Sequence, residues 1–145
     1  MKVIAHRGNL NGPNANEENR PSYINNAIKS GYDVEIDVWY VDNKWYLGHD
    51  DPRYHISYDF LIGSNLWLHA KNGDAFYYLL QDKLCNVFWH TNEDWVLTSK
   101  NYIWTYPNKF LYENSVCVMP ELGYNGNLKA CYAICTDYPF DYEQV

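Results

Sequence analysis

Histidines and acidic residues follow several short apolar runs of this sequence, at the point where each run ends. Four of the five histidines occupy such a position, namely His6, His49, His69 and His90. Glu121 and Asp137 follow two later runs in the same way. Residues that leave a strand are often polar simply because they are exposed, and for one isolated histidine this is the better explanation. The recurrence favours a shared pocket, because the carboxyl ends of parallel α/β strands carry the active site.

A second pattern is the segment Glu35-Ile36-Asp37 inside the apolar run Tyr32–Tyr40. Alternate side chains of a strand lie on opposite faces, so the two carboxylates share one face, about 7 Å apart. Two partly buried like charges require a compensating cation. A divalent ion is the natural candidate, since Mg²⁺, Ca²⁺ and Mn²⁺ prefer hard oxygen ligands. The alternative interpretation is the solvent-exposed polar face of an edge strand.

The tripeptide His6-Arg7-Gly8 combines three residue types that suit phosphate chemistry. Imidazole titrates near neutrality, the arginine fork binds phosphate oxygens bidentately, and glycine allows the backbone to approach a ligand. Lys71 lies two residues after His69, hence on the same face of a continuing strand, and would add a second positive charge. Taken alone, each of these features is also compatible with a solvated surface.

The elements that must position these residues are predicted from the apolar runs. About eight runs have the composition of strands: Val3–Ala5, Val34–Val38, Trp45–Gly48, Leu66–His69, Asn86–Trp89, Tyr102–Thr105, Val116–Met119 and Tyr132–Cys135. Helices are predicted at Pro21–Ser30, Asp59–Ile62, Asp74–Lys83 and Asp94–Ser99. Such alternation indicates parallel strands with right-handed crossovers. A full eightfold barrel takes ~250 residues, so we expect one domain over residues 1–145, a compact, reduced TIM-type (β/α) barrel with mostly parallel strands and short or missing helices.

Composition narrows the classes of partner. The formal net charge of −7 argues against a generic binder of nucleic acid or anionic membranes and is compatible with a small substrate. No run approaches the roughly 20 apolar residues of a membrane span, and no signal-peptide pattern follows Met1, so a cytoplasmic protein is expected. The four cysteines form no CxxC pair, and we expect buried free thiols.

Taken in order and spacing, several of these motifs resemble the glycerophosphodiester phosphodiesterase family of phospholipase-C-like barrels. The motifs are HRG at 6–8, EN at 18–19, ExD at 35–37 and GHD at 48–50, with HxK at 69–71 and TDYP at 136–139 similar to later strand signatures. Most of the match lies in the first 52 residues, and the region between the later motifs matches loosely. The resemblance implies a metal-dependent phosphoric diester hydrolase.

The resemblance also implies roles for individual residues. His6 and His49 would be general acid and base, Glu35 and Asp37 would hold the metal, and Arg7 and Lys71 would bind phosphate oxygens. Glu18 and Asn19 would support the loop beside His6. His90, Trp104 and Glu121 are further candidates for the substrate pocket, although a purely structural role is the simpler interpretation of an aromatic residue such as Trp104.

One position departs from the family pattern. His69 stands where better-known members have a carboxylate ligand, which favours Mn²⁺ or Zn²⁺ over Ca²⁺ if His69 binds the metal. The expected function is cleavage of a small phosphodiester, with the alcohol left open. Two alternatives remain: a catalytically degenerate barrel that binds phosphorylated ligands, and a hydrolase of another diester, such as a sugar-linked or lipid phosphodiester.

Overall fold

The computed structural model of the protein describes residues 1–145, which form one curled sheet and two α-helices. The strands are β1 (Lys2–His6), β2 (Asp33–Val41), β3 (Lys44–Leu47), β4 (Tyr54–Ile56), β5 (Leu66–Ala70), β6 (Val87–Phe88), β7 (Trp95–Leu97), β8 (Ile103–Thr105), β9 (Ser115–Val118) and β10 (Ala133–Thr136). The helices are α1 (Pro21–Lys29) and α2 (Gly73–Gln81). Short 3-10 helices cover Tyr58–Ile62, Pro120–Leu122, Leu128–Ala130 and Pro139–Tyr142.

The sheet is mixed and curls into a half-barrel. Its order is β4-β3-β2-β1-β10-β9-β8-β7, while β5 also pairs with β2, and β6 pairs with β5. Six strand pairs are parallel and three are antiparallel. The amide of Ser99 donates a 2.8 Å hydrogen bond to the carbonyl of Val87, which connects β6 to the segment after β7.

The predicted TIM-type (β/α) barrel is wrong, because most connections are too short for a crossover helix. A helical crossover between parallel neighbours takes a dozen or more residues, whereas antiparallel strands need only a tight turn. Asp42 and Asn43 are the whole connection between β2 and β3, and both have positive φ, 51° and 59°, as a type I′ hairpin turn requires. These strands therefore form an antiparallel hairpin, which β4 extends.

Two further expectations on the elements need correction. The helix predicted at Asp94–Ser99 is wrong, because this segment contains β7, which pairs antiparallel with β8. A short turn at Asn101, whose φ is 65°, makes this hairpin. β4 was not predicted. In contrast, α1 begins at Pro21 and ends one residue before the predicted Ser30, and α2 covers most of the predicted Asp74–Lys83.

Alternate side chains of each strand point to opposite faces of the sheet. One face is apolar and is covered by the helices, and the other, concave face carries both polar and apolar residues. Val34, Ile36 and Val38 of β2 belong to the core cluster that the helices cover. The concave side holds a second, aromatic-rich apolar cluster, which includes Trp67, Phe88 and Trp104. The residues of opposite parity in β2, β5 and β1 point to this concave side, so the polar site lies directly above an aromatic floor.

Asn72, the residue that precedes helix α2, connects the helix to the sheet. The side-chain oxygen of Asn72 accepts a hydrogen bond from the amide of Ala75, which satisfies one free donor of the first turn. The same side chain donates to the carbonyl of Tyr40 at 2.8 Å. This double contact holds the segment that follows β5, which includes Lys71, against β2.

All four cysteines are buried and free, as predicted. Burial raises the pKa of Cys117 to about 12 and raises that of Cys135 well above its usual range, so these thiols are packing residues. Neither helix has the length and apolarity needed to cross a bilayer.

Candidate active site

A cavity of about 560 Å³ opens at the carboxyl edge of the parallel strands. It is lined by eight of the residues singled out from the sequence: His6, Arg7, Glu35, His49, His69, Lys71, His90 and Trp104. Asp37 is fully buried directly behind this wall. Glu18, Asn19 and Glu121 do not line the cavity. Glu18 contacts the cavity residue Arg7, whereas the side chains of Asn19 and Glu121 contact Asp37 and Asp137 behind it.

Glu35, Asp37 and His69 form a compact group of ligand atoms. The strand register places Asp37 beside His69 and His6 beside Glu35, so the polar side chains of β1, β2 and β5 meet at one place. The three side chains offer ligand atoms that all lie within 4.8 Å of one another. Two buried carboxylate oxygens, Glu35 Oε2 and Asp37 Oδ1, have no hydrogen-bond partner. Because unsatisfied buried charge is costly, this group fits a divalent metal ion.

The orientation of His69 supports the same conclusion. Its Nε2 lies 3.0 Å from the carbonyl oxygen of His90 and must donate a proton there. In the neutral ring the lone pair is then on Nδ1, which lies 3.1 Å from Asp37 Oδ1 and 3.6 Å from Glu35 Oε1. A backbone carbonyl that fixes the tautomer in this way is the usual outer partner of a metal-binding histidine.

Without a metal ion, a proton on His69 balances the negative charge of Glu35 and Asp37. Burial lowers the pKa of His69, but the neighbouring carboxylates of Asp37 and Glu35 outweigh burial and raise the pKa to about 9. Burial by itself raises the pKa of Asp37, but the hydrogen bond from His69 and the positive charges of His69, Arg7 and Lys71 outweigh burial and hold this pKa well below its usual range. A metal ion at this position would therefore replace the proton on His69.

Three side chains hold Asp37 from the cavity side and from behind. Asn19 donates to Asp37 Oδ2 at 2.8 Å and accepts from the amide of Asp37 at 2.9 Å. Arg7 Nε lies 3.2 Å from Oδ2, and Lys71 Nζ lies 3.7 Å from Oδ1. Glu18 accepts a 3.0 Å hydrogen bond from Arg7 Nη1. Glu18 and Asn19 therefore support Arg7 and Asp37, rather than only the loop beside His6.

His6 forms an ion-paired dyad with Asp137, a contact the sequence did not reveal. Its Nδ1 lies 2.8 Å from Asp137 Oδ1, which leaves Nε2 to the cavity, 3.9 Å from Glu35 Oε2. Burial lowers the pKa of His6, but the contact with Asp137 and the charge of Glu35 outweigh burial and raise it. The signals in the sequence were the position of Asp137 at the end of an apolar run and its place in the TDYP motif at 136–139.

The network behind this dyad involves two further buried groups. Asn9 donates to Asp137 Oδ1 at 2.7 Å. Glu121 Oε1 accepts from the amide of Asp137 and from the hydroxyl of Thr136, both at 2.9 Å. Glu121, a candidate for the substrate pocket, therefore fixes Asp137 instead of facing the cavity.

The remaining candidates differ in how firmly they are held. His49 lies at the rim with a 42% exposed side chain, and its Nδ1 contacts Asp50 at 2.7 Å. His90 stacks on Tyr106 at 5.5 Å between ring centroids. Trp104 is buried and stacks on Phe88 at 4.4 Å, so only an edge of the indole reaches the cavity.

Comparisons with family models, curated proteins and solved structures found no match to this chain. The resemblance to the glycerophosphodiester phosphodiesterase family therefore depends on the ordered motifs alone. The geometry described above is independent of that resemblance, because it follows from distances within this chain.

Gly8 allows the His6-Arg7-Gly8 turn to pack against α1 rather than against a ligand. Its φ is 87°, and a Cβ atom there would lie 2.9 Å from Tyr23 Cδ1. We expect Gly8→Ala to lower the free energy of unfolding by about 1–3 kcal/mol, through backbone strain and overpacking, measured by urea denaturation. Gly73→Ala is the matched control, since its Cβ meets nothing within 4 Å. Equal stability of the two variants would contradict this role.

The pKa of His69 predicts how the stability of metal-free protein depends on pH. A group whose pKa is raised on folding stabilises the folded state fully at a pH below its pKa in the unfolded chain, about 6.5 for histidine. This contribution is lost as the pH rises through the pKa of the folded state, about 9 for His69. We expect the free energy of unfolding to fall by on the order of 2–3 kcal/mol across this window. His6, whose pKa is also raised, contributes in the same direction.

The contribution of His69 to the pH dependence of stability is measured by comparing denaturation curves of wild type and His69→Gln across the same pH range. The variant should lose most of the pH dependence, whereas His55→Gln, at an exposed position, should keep it. If His69→Gln retained the wild-type slope, the proton would not be held by His69.

Proposed function

We propose that this protein is a metal-dependent phosphodiesterase that cleaves a small diester bound in the cavity. The observation that carries the proposal is the compact group of Glu35, Asp37 and His69, whose ligand atoms all lie within 4.8 Å of one another. In this group Glu35 Oε2 accepts no hydrogen bond, and Asp37 Oδ1 is balanced by the ion contacts with His69 Nδ1 at 3.1 Å and Lys71 Nζ at 3.7 Å. The motif order of the glycerophosphodiester phosphodiesterase family, stated above, agrees with this assignment.

The cations around the site suit a phosphate group. Arg7 and Lys71 both line the cavity, and each lies within 4 Å of Asp37. Their charges would bind the nonbridging oxygens of the diester, Arg7 through its fork and Lys71 as a point charge. A divalent ion held by Glu35, Asp37 and His69 would supply Lewis-acid charge to one of those oxygens.

Proton transfer is assigned to His6. Asp137 keeps the Nδ1 proton of His6 in place, so Nε2 is the atom that exchanges a proton with the reacting oxygen. In the reaction the attacking oxygen gives up its proton and forms a new bond to phosphorus, while the bond to the leaving alcohol breaks and that alcohol receives a proton. His6 Nε2 would serve one of these two transfers, and His49 or water the other. The attacking oxygen comes either from water or from a neighbouring hydroxyl of the substrate.

The test is a screen of purified protein against diverse phosphodiesters, with Mg²⁺, Ca²⁺, Mn²⁺ or Zn²⁺ added after removal of bound metal. We expect release of alcohol or phosphate that requires a divalent ion. No release from any diester with any ion would reject the hydrolase and favour a protein that binds phosphorylated ligands without turnover.

That binding protein is the second candidate, and the position of His49 favours it. A two-histidine mechanism needs both imidazoles held near the phosphate, yet His49 is 42% exposed and contacts Asp50. In the absence of metal, Arg7, Lys71 and protonated His69 already surround Asp37. Such a cationic surface would hold a phosphate monoester without cleaving anything.

If a diester is cleaved, His49→Ala distinguishes a two-histidine mechanism from one in which only His6 transfers protons. As a second proton-transfer group, His49 should contribute about 10²-fold to turnover, measured as kcat on the best diester from the screen. His55→Ala provides a control at another exposed histidine. Unchanged kcat in His49→Ala would leave His6 as the sole proton-transfer histidine.

A further inference from the structure

The cavity has two chemically different halves. His6, Arg7, Glu35 and His69 form the polar half beside β1, β2 and β5. The half beside β8 and β9 is apolar and consists of Trp104, Pro107, Val118, Met119 and Leu122, together with the ring of Tyr106. The proposed reaction uses only the polar half, so the apolar wall has no function assigned to it.

Two polar side chains on the apolar side, Thr91 and His90, are already hydrogen-bonded to Glu93. Thr91 Oγ1 donates to Glu93 Oε1 at 3.1 Å, and His90 Nε2 lies 3.0 Å from the carbonyl of Glu93. Hydroxyl groups of a polar alcohol would find few partners there, and unsatisfied polar groups oppose binding.

The apolar wall is built into the same framework that orients His6. Met119 has a positive φ of 48°, a conformation that is strained for a residue with a Cβ and that occurs preferentially at functional sites. Glu121, in the turn Pro120–Leu122, binds the amide of Asp137, and Asp137 contacts His6. The turn therefore holds Met119 and Leu122 at a fixed distance from the proton-transfer dyad.

The residue types favour an aliphatic rather than an aromatic group. Val118, Met119 and Leu122 provide aliphatic and thioether surface, which conforms to a chain. The two aromatic rings of this wall already stack one face each, Trp104 on Phe88 and Tyr106 on His90. Leu122 is 64% exposed, so an aliphatic ligand would remove a large apolar surface from water.

We propose that one alcohol of the substrate is aliphatic and lies against this wall, with the phosphate at Arg7 and Lys71. This inference rests on the proposed phosphodiesterase function and specifies its substrate class. Each methylene buried against the wall should raise kcat/KM by about two- to fourfold until the wall is covered.

The experiment uses glycerol phosphodiesters whose second alcohol is glycerol, methanol, butanol, hexanol or benzyl alcohol, assayed with Mn²⁺. All of them keep a hydroxyl next to the phosphate, so both possible attacking groups are available, and all leave as alkoxides of similar basicity. We expect kcat/KM to rise from methyl to butyl to hexyl, and the hexyl diester to exceed both the glyceryl and the benzyl diester. A preference for the glyceryl diester, or for benzyl over hexyl, overturns the proposal.

A matched pair of variants locates the effect. Leu122→Asn should lower the ratio of hexyl to glyceryl kcat/KM by about fivefold, because it removes apolar contact without adding charge. Leu84→Asn is the control: Leu84 is 62% exposed and lies in a different depression, which includes Lys2 and Tyr132. An equal ratio in Leu122→Asn and wild type also overturns the proposal.

A binding measurement separates failure of this inference from failure of the proposed function. If no diester is cleaved, the dissociation constants of hexyl phosphate and glycerol 3-phosphate are compared by calorimetry in the presence of Mn²⁺. Tighter binding of hexyl phosphate, weakened in Leu122→Asn, supports an aliphatic site in a non-catalytic protein. Equal affinities reject the aliphatic site regardless of activity.

Discussion

Replacement of His6 by glutamine is expected to lower kcat on a cleaved diester by about 10²- to 10⁴-fold, the usual contribution of a general acid or base. The reason is geometric: Nε2 of His6 faces the cavity because Nδ1 is bound to Asp137 at 2.8 Å. Glutamine retains hydrogen-bonding capacity but cannot exchange a proton near neutral pH. The measurement is kcat at saturating substrate and metal, with circular dichroism to verify folding.

Asp137→Asn separates the orientation of His6 from its chemistry. An amide at this position can still contact His6 but no longer prefers a proton on Nδ1, so part of the population adopts the wrong tautomer. We expect a loss in kcat smaller than that of His6→Gln, with little change in KM. His55→Gln, at an exposed residue, should behave as wild type. Near-normal kcat in His6→Gln with metal bound would remove His6 from the mechanism.

The parity of the strands could be predicted from the sequence, and much of the site follows from it. Alternation places Glu35 and Asp37 on one face of β2, and His69 and Lys71 on one face of β5 and its extension. These residues meet because the two strands are parallel neighbours in register. Period-two patterning is a local property, so one sequence is enough to detect it.

The architecture could not be predicted in the same way. The number of parallel crossovers depends on connection lengths and turn conformations, and the positive φ of Asp42 and Asn43 makes an antiparallel hairpin where mostly parallel strands were expected. Asp94–Ser99 begins with an acidic residue that suits a helix N-terminus, yet its pairing with β8 gives a strand. Tertiary pairing overrides such weak local preferences.

The dyad of His6 and Asp137 illustrates a second limit. The two residues are 131 positions apart, and they meet only because β1 and β10 are paired. No local pattern encodes that pairing. The contact of Glu121 with Asp137 was not predicted either, because a position at a strand end is equally compatible with facing the cavity and with binding Asp137 from behind.

The proposed metal site offers the second large effect, in binding rather than in rate. We expect Glu35→Gln and His69→Ala each to weaken Mn²⁺ binding by about 10²-fold or more, since even an outer partner of a ligand contributes about 10- to 100-fold. Mn²⁺ or Zn²⁺ should bind more tightly than Ca²⁺, because the imidazole nitrogen of His69 is a softer donor than a carboxylate. Calorimetry on metal-free protein measures these affinities without any assay of activity.

The protonation of His69 makes this expectation sharper. Since a metal ion must displace the proton from Nδ1, and the pKa of His69 is raised to about 9, Mn²⁺ affinity in wild type should increase with pH up to that value. His69→Ala should lose this dependence together with the affinity. Glu113→Gln, which alters an exposed carboxylate, is the control and should bind Mn²⁺ as wild type does. Should Ca²⁺ bind as tightly as Mn²⁺, with an affinity that His69→Ala leaves unchanged, then His69 is not a ligand and only the two carboxylates hold the ion.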